Sequence, residues 1–225
     1  MRKLVISSLV WLSAFFPAQQ ISFDVLQEVS TEHSKGRNRE SSQSLWLVNS
    51  QSGNFVKLQR NGYKYLASIH DPATGLLHYF NVYSKENSLV PVYANSYRYE
   101  FSARTHAEAK NNVLKTAVVS ETAPLEYEIK VFRKERDRKP EYIFRIKLDK
   151  ALYTNLATSV DNPKVTAAVE QSLIDKLAAL PCCYRIISYE GTQPKGDYST
   201  KSRIVKETPV SIFFIIPQVP KIDNL

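Results

Sequence analysis

The chain has 225 residues, of which 43% are hydrophobic and 23% charged, and its formal net charge is +8. These values are ordinary for a globular protein and exclude a low-complexity chain. The length suits a single domain with a sizeable core. Tyr (13) and Phe (10) are plentiful beside six Gly and one Met, which favours a strand-rich fold.

The first residues have the layout of a secretory signal peptide. Arg2 and Lys3 precede an apolar run from Leu4 to Phe16, and Pro17-Ala18 ends it. The run is too short to cross a bilayer, which takes about 20 apolar residues. We therefore expect a signal peptide over residues 1–18 and a secreted or periplasmic mature chain, 19–225, without a transmembrane span.

The first hundred mature residues predict a meander of strands. Residues 21–29 form a first strand, whereas residues 30–44 are polar, Ser-rich and without periodicity, which predicts a mobile loop. Short apolar strands follow from Leu45 onward. Asn61-Gly62 is a strong hairpin signal, and residues 71–75 contain Pro and Gly in a turn pattern. Connections this short imply sequential antiparallel neighbours.

Residues 125–148 read as a β-hairpin with one dry face. Apolar residues occupy odd positions before the charged turn and even positions after it. Pairing Val131 with Tyr142 places Glu128 opposite Arg145, which is attractive. Moving the register by two residues would instead oppose two basic residues. The charges therefore predict the Val131–Tyr142 register.

A helix is predicted from residue 163 to about residue 180. Asn162 is a good N-cap, Pro163 a good first residue, and Pro181 a stop. Apolar residues recur on one face: Val165, Val169, Leu173, Leu177 and Leu180. Strands are expected on either side, and the continuously apolar residues 210–216 predict a central strand or one covered by the helix.

The expected fold is mainly β, a β-rich α+β protein in one domain over residues 19–225. It is a twisted antiparallel meander of roughly eight to ten strands with one C-terminal helix packed on it. A sheet of this many strands can curl into an open barrel, which is the alternative arrangement. Residues 105–112 suggest one further short helical turn.

No nucleotide-binding, hydrolase or zinc-protease motif is present in the sequence. The candidate polar cluster is His70, Asp71 and His78 around a turn. Two imidazoles and a carboxylate suit a metal in principle, but surface imidazoles beside a turn are far commoner. We therefore predict no catalytic residue, no metal site and no cofactor. Cross-strand packing explains the many tyrosines better than base stacking, so no nucleic-acid partner is expected.

Cys182 and Cys183 are adjacent, with neither redox nor metal-binding spacing. The favoured interpretation is a pair of small apolar residues at the start of a strand. A vicinal disulfide and an intermolecular disulfide remain open alternatives, because an exported chain can keep disulfides.

The chain resembles a loose group of uncharacterised proteins. The residues that carry the resemblance are Ala18-Gln19-Gln20 after the apolar run, the turn at Asn49-Ser50 and the segment YFNVYS at 79–84. They are similar to those of signal-bearing, β-rich envelope proteins common in the Bacteroidota. The resemblance implies export and a sheet-rich fold, and it implies no catalytic residue.

The functional hypothesis follows from the geometry of the predicted fold. One helix is about 10 Å wide and cannot cover eight strands spaced about 4.8 Å apart. An apolar groove left open beside the helix would favour a non-enzymatic envelope binding protein for a hydrophobic ligand, such as envelope lipid. The positive net charge favours an anionic ligand, such as anionic lipid or anionic glycan. The alternatives are a structural or protein-interaction module and, less favoured, a hydrolase. A Ser, a His and a carboxylate meeting in a pocket would favour the hydrolase.

Overall fold

The computed structural model describes residues 18–71, 73–86, 88–98, 116–156, 158 and 162–223. Among these residues, eleven antiparallel strands form one sheet, with one helix. The strands are β1 (Gln19–Lys35), β2 (Asn38–Val48), β3 (Phe55–Asn61), β4 (Lys64–Asp71), β5 (Leu76–Lys85), β6 (Ser88–Arg98), β7 (Thr116–Ala123), β8 (Glu126–Phe132), β9 (Tyr142–Lys150), β10 (Tyr184–Gln193) and β11 (Tyr198–Ile216), and the helix is α1 (Pro163–Leu177).

The strand order in the sheet is β6-β5-β4-β3-β2-β1-β11-β10-β9-β8-β7. Strands that are consecutive in sequence lie side by side, except β6 and β7, which form the two opposite edges of the sheet. The long strands β1 and β11 pair at its centre. The predicted mainly β, antiparallel meander with one helix is confirmed, with eleven strands in place of eight to ten. The sheet is open and does not close into a barrel.

The chain after β11 returns to the β6 edge of the sheet. The amide of Ser96 donates to the carbonyl of Lys221 at 2.8 Å, and the amide of Asp223 donates to the carbonyl of Ser96 at 2.9 Å. The Asn95 side chain donates to the Asp223 carboxylate at 2.6 Å. The C-terminal segment thus covers part of an edge that would otherwise expose backbone polar groups.

The prediction of a mobile loop over residues 30–44 is wrong. These residues form the ends of β1 and β2, which pair without a register shift from Val25–Val48 to Lys35–Asn38. The same part of β1 also pairs with β11 on its other side. Backbone ladders therefore hold residues 30–35 on both edges and residues 38–44 on the β1 edge. The side chains of these residues carry almost no apolar periodicity, which is why the hydrophobic pattern missed them.

The predicted β8–β9 register is confirmed. Val131 pairs with Tyr142, and Glu128 pairs with Arg145. The Glu128 carboxylate lies 3.6 Å from Nε of Arg145. β8 begins at Glu126 rather than at residue 125, because Leu125 lies in the turn with φ of 60°.

α1 packs on β7 and β8 and completes a first hydrophobic core. Asn162 caps the helix, since its Oδ1 accepts from the amides of Lys164 at 3.1 Å and Val165 at 3.4 Å. The helix ends at Leu177, three residues before the predicted end, and Leu180 lies beyond it at the surface. This core consists of residues of α1, the β8–β10 strands and the segment after β9: Tyr127, Ile129, Val131, Tyr142, Phe144, Ile146, Leu148, Leu156, Val165, Ala168, Val169, Leu173, Leu177, Tyr184 and Tyr189.

A second hydrophobic core lies on the other half of the sheet. Its centre is Phe214 of β11, whose ring centroid is 5.4 Å from that of Phe23 and 4.8 Å from that of Phe80. The other members come from strands β2 to β5 and β11: Leu47, Val56, Leu58, Ala67, Ile69, Val82, Ile212 and Ile216. β11 is central, as predicted for residues 210–216, but α1 does not cover it.

The two cores lie on opposite faces of the sheet. Side chains alternate between the faces of a strand. Leu45 packs on the second core, and the unbroken β1–β2 register places Glu32 on the same face. The pairing continues from Glu32 through β11 and β10 to Arg145 of β9. Phe144, which alternates with Arg145, belongs to the first core, so each half of the sheet buries the face that the other half leaves open.

Two sequence predictions lie outside the described residues: the signal peptide, apart from residue 18, and the helical turn at 105–112. In the described part of the chain, no helix is both long and apolar enough to cross a membrane.

Candidate functional site

The face opposite α1 carries a groove of about 680 Å³, here called the charged groove. Cross-strand pairing builds a row of alternating charge across five strands. From β8 to β1 this row is Glu128, Arg145, Glu190, Lys201 and Glu32. The groove is therefore a consequence of strand register rather than of a loop or a helix end.

The charges of this groove neutralise one another. Its lining holds four acidic and four basic residues: Glu32, Glu126, Glu128, Glu190, Arg145, Lys147, Lys201 and Arg203. Lys201 lies 3.1 Å from Glu190, and Lys147 lies 2.9 Å from Glu126. A balanced ladder of this kind stabilises strand pairing modestly and has no net preference for an anion or a cation.

A second groove, here called the apolar groove, lies on strands β4, β5 and β6 and has a volume of about 620 Å³. Leu77 and its cross-strand partner Tyr97 form one end of it. Both face away from the second core, because they alternate with the buried residues His78 and Ser96. The lining residues are Leu66, Leu77, Tyr79, Phe80, Asn81, Ala94, Asn95, Tyr97 and Arg98.

The apolar groove combines a hydrophobic wall with a cation, Arg98, at its end. The Tyr79 and Tyr97 rings meet edge to face, with centroids 5.3 Å apart. Arg98 ends β6 and is exposed beside them. Arg98 is the one charged residue among the described residues that line the groove. The arrangement suits a molecule with an apolar body and an anionic group.

The structure separates the predicted polar cluster. Asp71 pairs with Leu76 and shares a face with His78, whereas His70 points to the other face and is exposed. The carboxylate of Asp71 accepts from the amide of Ala73 at 2.9 Å and from the hydroxyl of Thr74 at 2.7 Å, so it stabilises the turn. Among the described residues, no three His, Cys, Asp or Glu side chains lie close enough to hold a metal ion.

His78 instead belongs to a buried network with Ser96 and Tyr93. Nδ1 of His78 lies 2.6 Å from the Ser96 hydroxyl, which lies 2.7 Å from the Tyr93 hydroxyl. Both His78 and Ser96 are almost wholly shielded from solvent, at 1% and 0% exposure. Because no substrate can reach the buried Ser96 hydroxyl in this arrangement, we assign the network to stabilising the β5–β6 strand pair.

Burial lowers the pKa of His78, because the imidazolium form is poorly solvated there. Below about pH 6.5 the imidazole of His78 takes up a proton in the unfolded chain but not in the folded protein. The free energy of unfolding should therefore fall as pH falls, by at most about 1.4 kcal/mol per pH unit. Denaturant titrations at pH 7.5 and 5.5 should show this loss in the native protein and a smaller one in His78→Gln. His70→Gln, which changes an exposed side chain, is the control and should lose as much unfolding free energy between the two pH values as the native protein. Equal losses in all three proteins would contradict the assignment of the pH dependence to His78.

A half-buried ion pair joins β10 to β11. The guanidinium of Arg185 donates two hydrogen bonds to the Glu207 carboxylate, at 2.6 and 2.9 Å, and the Gln27 side chain donates a third at 2.8 Å. The hydrogen bonds from Arg185 hold the pKa of Glu207 below its usual range. These hydrogen bonds occupy both carboxylate oxygens of Glu207 and link β1, β10 and β11.

The sulfur atoms of Cys182 and Cys183 are adjacent just before β10, in the arrangement of a vicinal disulfide. The sequence interpretation of two small apolar residues was favoured over this vicinal bond. The bond lies away from both grooves, whose lining residues do not include either cysteine.

Sequence reasoning missed the apolar groove because it assigned each strand a single dry face. The signal was present in β5 and β6, where apolar and aromatic residues occupy both faces. Leu76 and Leu77 are neighbours on opposite faces, as are Tyr79 and Phe80. A strand that is apolar on both sides has two faces to cover.

Comparisons with known proteins assign no family. No family model matches the chain, and no curated protein sequence matches it significantly. The solved structure of a LolA superfamily protein from Nitrosomonas europaea is similar, at 9% sequence identity, with 88% of this chain and 88% of that chain covered and a TM-score of 0.23. Values this low establish neither family nor function for this chain, whose β-rich fold is established by its own sheet.

Proposed function

We propose that the protein is an exported, non-enzymatic binding protein whose ligand is an anionic amphiphile held in the apolar groove. The observation that carries this proposal is the lining of that groove, with apolar and aromatic side chains along β4–β6 and Arg98 at the rim. Its volume of about 620 Å³ falls within the usual range of ligand sites, roughly 300–1,000 Å³.

Hydrocarbon and headgroup would contact different parts of the groove. Leu66, Leu77 and Tyr97 offer apolar surface to an acyl chain, and each buried methylene contributes about 0.8 kcal/mol. Arg98 offers a planar donor to a carboxylate or phosphate. The groove lies on β4–β6 and not beside α1, where the fold prediction placed it, because the two halves of the sheet bury opposite faces.

Binding is favoured over hydrolysis by the position of the polar side chains. Ser96 and His78, which resemble part of a nucleophilic site, are sealed inside the sheet. The charged groove is internally neutralised, so it offers no charge preference. The N-terminal sequence pattern and the resemblance to Bacteroidota-type envelope proteins support an exported location for this binding activity.

The test is native mass spectrometry of the purified protein together with titration of a fluorescent long-chain fatty acid and its alcohol analogue. We expect saturable binding of both. Arg98→Gln should weaken the acid about tenfold and leave the alcohol unchanged, because the alcohol has no charge to pair. Leu77→Asn should weaken both.

The control is Val118→Asn, which changes an exposed apolar residue on β7, away from the groove. It should leave both affinities unchanged. No co-purified lipid and no saturable binding would reject the proposal and favour a structural or protein-interaction module instead.

A further inference from the structure

The sheet ends beyond the apolar groove in two adjacent turns, here called the tip: residues 60–64 of the β3–β4 turn, with residues 83–86 and 88–92 around the β5–β6 turn. Register places Lys64, Tyr83 and Val90 side by side on the face of the apolar groove. The tip lies about 14 Å from Tyr79 along β5, at about 3.4 Å per residue. It is thus a separate surface on the same face.

The tip exposes apolar and aromatic side chains that the described residues leave uncovered. Tyr63 is 83% exposed, Val90 42% and Val92 47%. The Tyr63 ring stacks on that of Tyr83 with centroids 6.2 Å apart, so the two phenols form one surface. Exposed tyrosines with aliphatic neighbours are typical of residues that lie at the level of lipid headgroups.

The tip is also basic. Arg60, Lys64 and Lys85 are its cations, and Glu86 is its one acidic residue among those described. In the charged groove, acidic and basic residues alternate and balance. In the tip, the basic residues outnumber the acidic one. A surface that offers cations around an apolar patch is complementary to anionic headgroups over a hydrocarbon layer.

We propose that the tip docks on the surface of an anionic lipid bilayer. Lys64 and Lys85 would pair with headgroup phosphates, while Tyr63, Val90 and Val92 enter the headgroup layer. Charge complementarity selects this partner over a neutral bilayer. The inference concerns a different surface from the proposed ligand site and does not require the apolar groove to be filled.

The test is co-sedimentation with vesicles of phosphatidylglycerol and phosphatidylethanolamine, compared with vesicles of phosphatidylcholine alone. We expect stronger binding to the anionic vesicles, and we expect it to weaken as salt is raised, because exposed charges are screened. Lys64→Gln with Lys85→Gln should reduce anionic-vesicle binding roughly 25-fold, at about fivefold for each cation. Tyr63→Ser with Val90→Ser should also reduce it, with less effect on the salt dependence.

The matched control removes the same charge from another turn. Lys134→Gln with Lys139→Gln lies in the exposed β8–β9 turn, which has no apolar residue over 133–139. This variant should bind anionic vesicles within about twofold of the native protein if the tip is the docking surface. Circular dichroism and thermal melts establish that each variant is folded.

Two results would overturn the inference: equal losses in the control and tip variants, which would indicate attraction by net charge alone, or equal binding to both kinds of vesicle. The two proposals fail separately. Arg98→Gln and Leu77→Asn should keep vesicle binding, so a protein that binds vesicles but no fatty acid would reject the proposed ligand and leave the docking surface in place.

Discussion

Leu173→Asp should lower the free energy of unfolding by at least about 4 kcal/mol. Leu173 is wholly buried between α1 and the sheet, in the first core. Removing a buried Leu side chain costs about 2–5 kcal/mol, and the new carboxyl group would be left without solvent. Chemical denaturation measures the loss, and failure to obtain folded protein at all would agree with it.

The next residue provides the control. Ile174 lies on the same helix but is 50% exposed. Ile174→Asp should cost less than about 1 kcal/mol, because its carboxylate remains hydrated. Similar losses for the two variants would show that α1 does not bury the Leu173 face.

Phe214→Ala should cost about 3–5 kcal/mol, the usual range for a buried aromatic residue. Phe214 is wholly buried, and its ring meets those of Phe23 and Phe80 at nearly right angles. Truncation would remove both edge-to-face contacts and leave a cavity between β1, β11 and β5. A shift in the denaturation midpoint at constant slope measures the effect.

Phe213→Ala is the matched control, since it removes the same side chain from the adjacent position. Phe213 points to the opposite face and is 45% exposed. Its loss should stay within about 1 kcal/mol. A large effect at Phe213 and a small one at Phe214 would mean that β11 presents its other face to the second core.

The sequence alone predicted the elements whose pattern is strong and local. In the β8–β9 hairpin, alternation and opposite charges at Glu128 and Arg145 were sufficient to predict the register. In α1, the cap at Asn162 and the apolar stripe predicted the start and the buried face. Local interactions determine these structures largely independently of the rest of the chain.

The arrangement of the whole sheet could not be predicted in this way. Which face a strand buries depends on the elements that pack against it, and the two halves of this sheet bury opposite faces. The apolar groove follows from that choice, because Leu77 and Tyr97 lie on the face that the second core does not use. The sequence therefore identifies these residues as strand residues, without indicating that they line a groove together.

The position of β1 beside β11 explains the unusual polarity of residues 28–35. β1 and β11 are separated by most of the chain, so a growing chain forms the β1–β6 meander while one edge of β1 still lacks its partner. An exposed strand edge invites pairing with other chains unless charged and polar side chains discourage it. The Ser, Glu and Lys residues that hide the strand pattern in this segment are of the kind that discourages such pairing, and they lie on the edge of β1 that waits for the last strand of the chain.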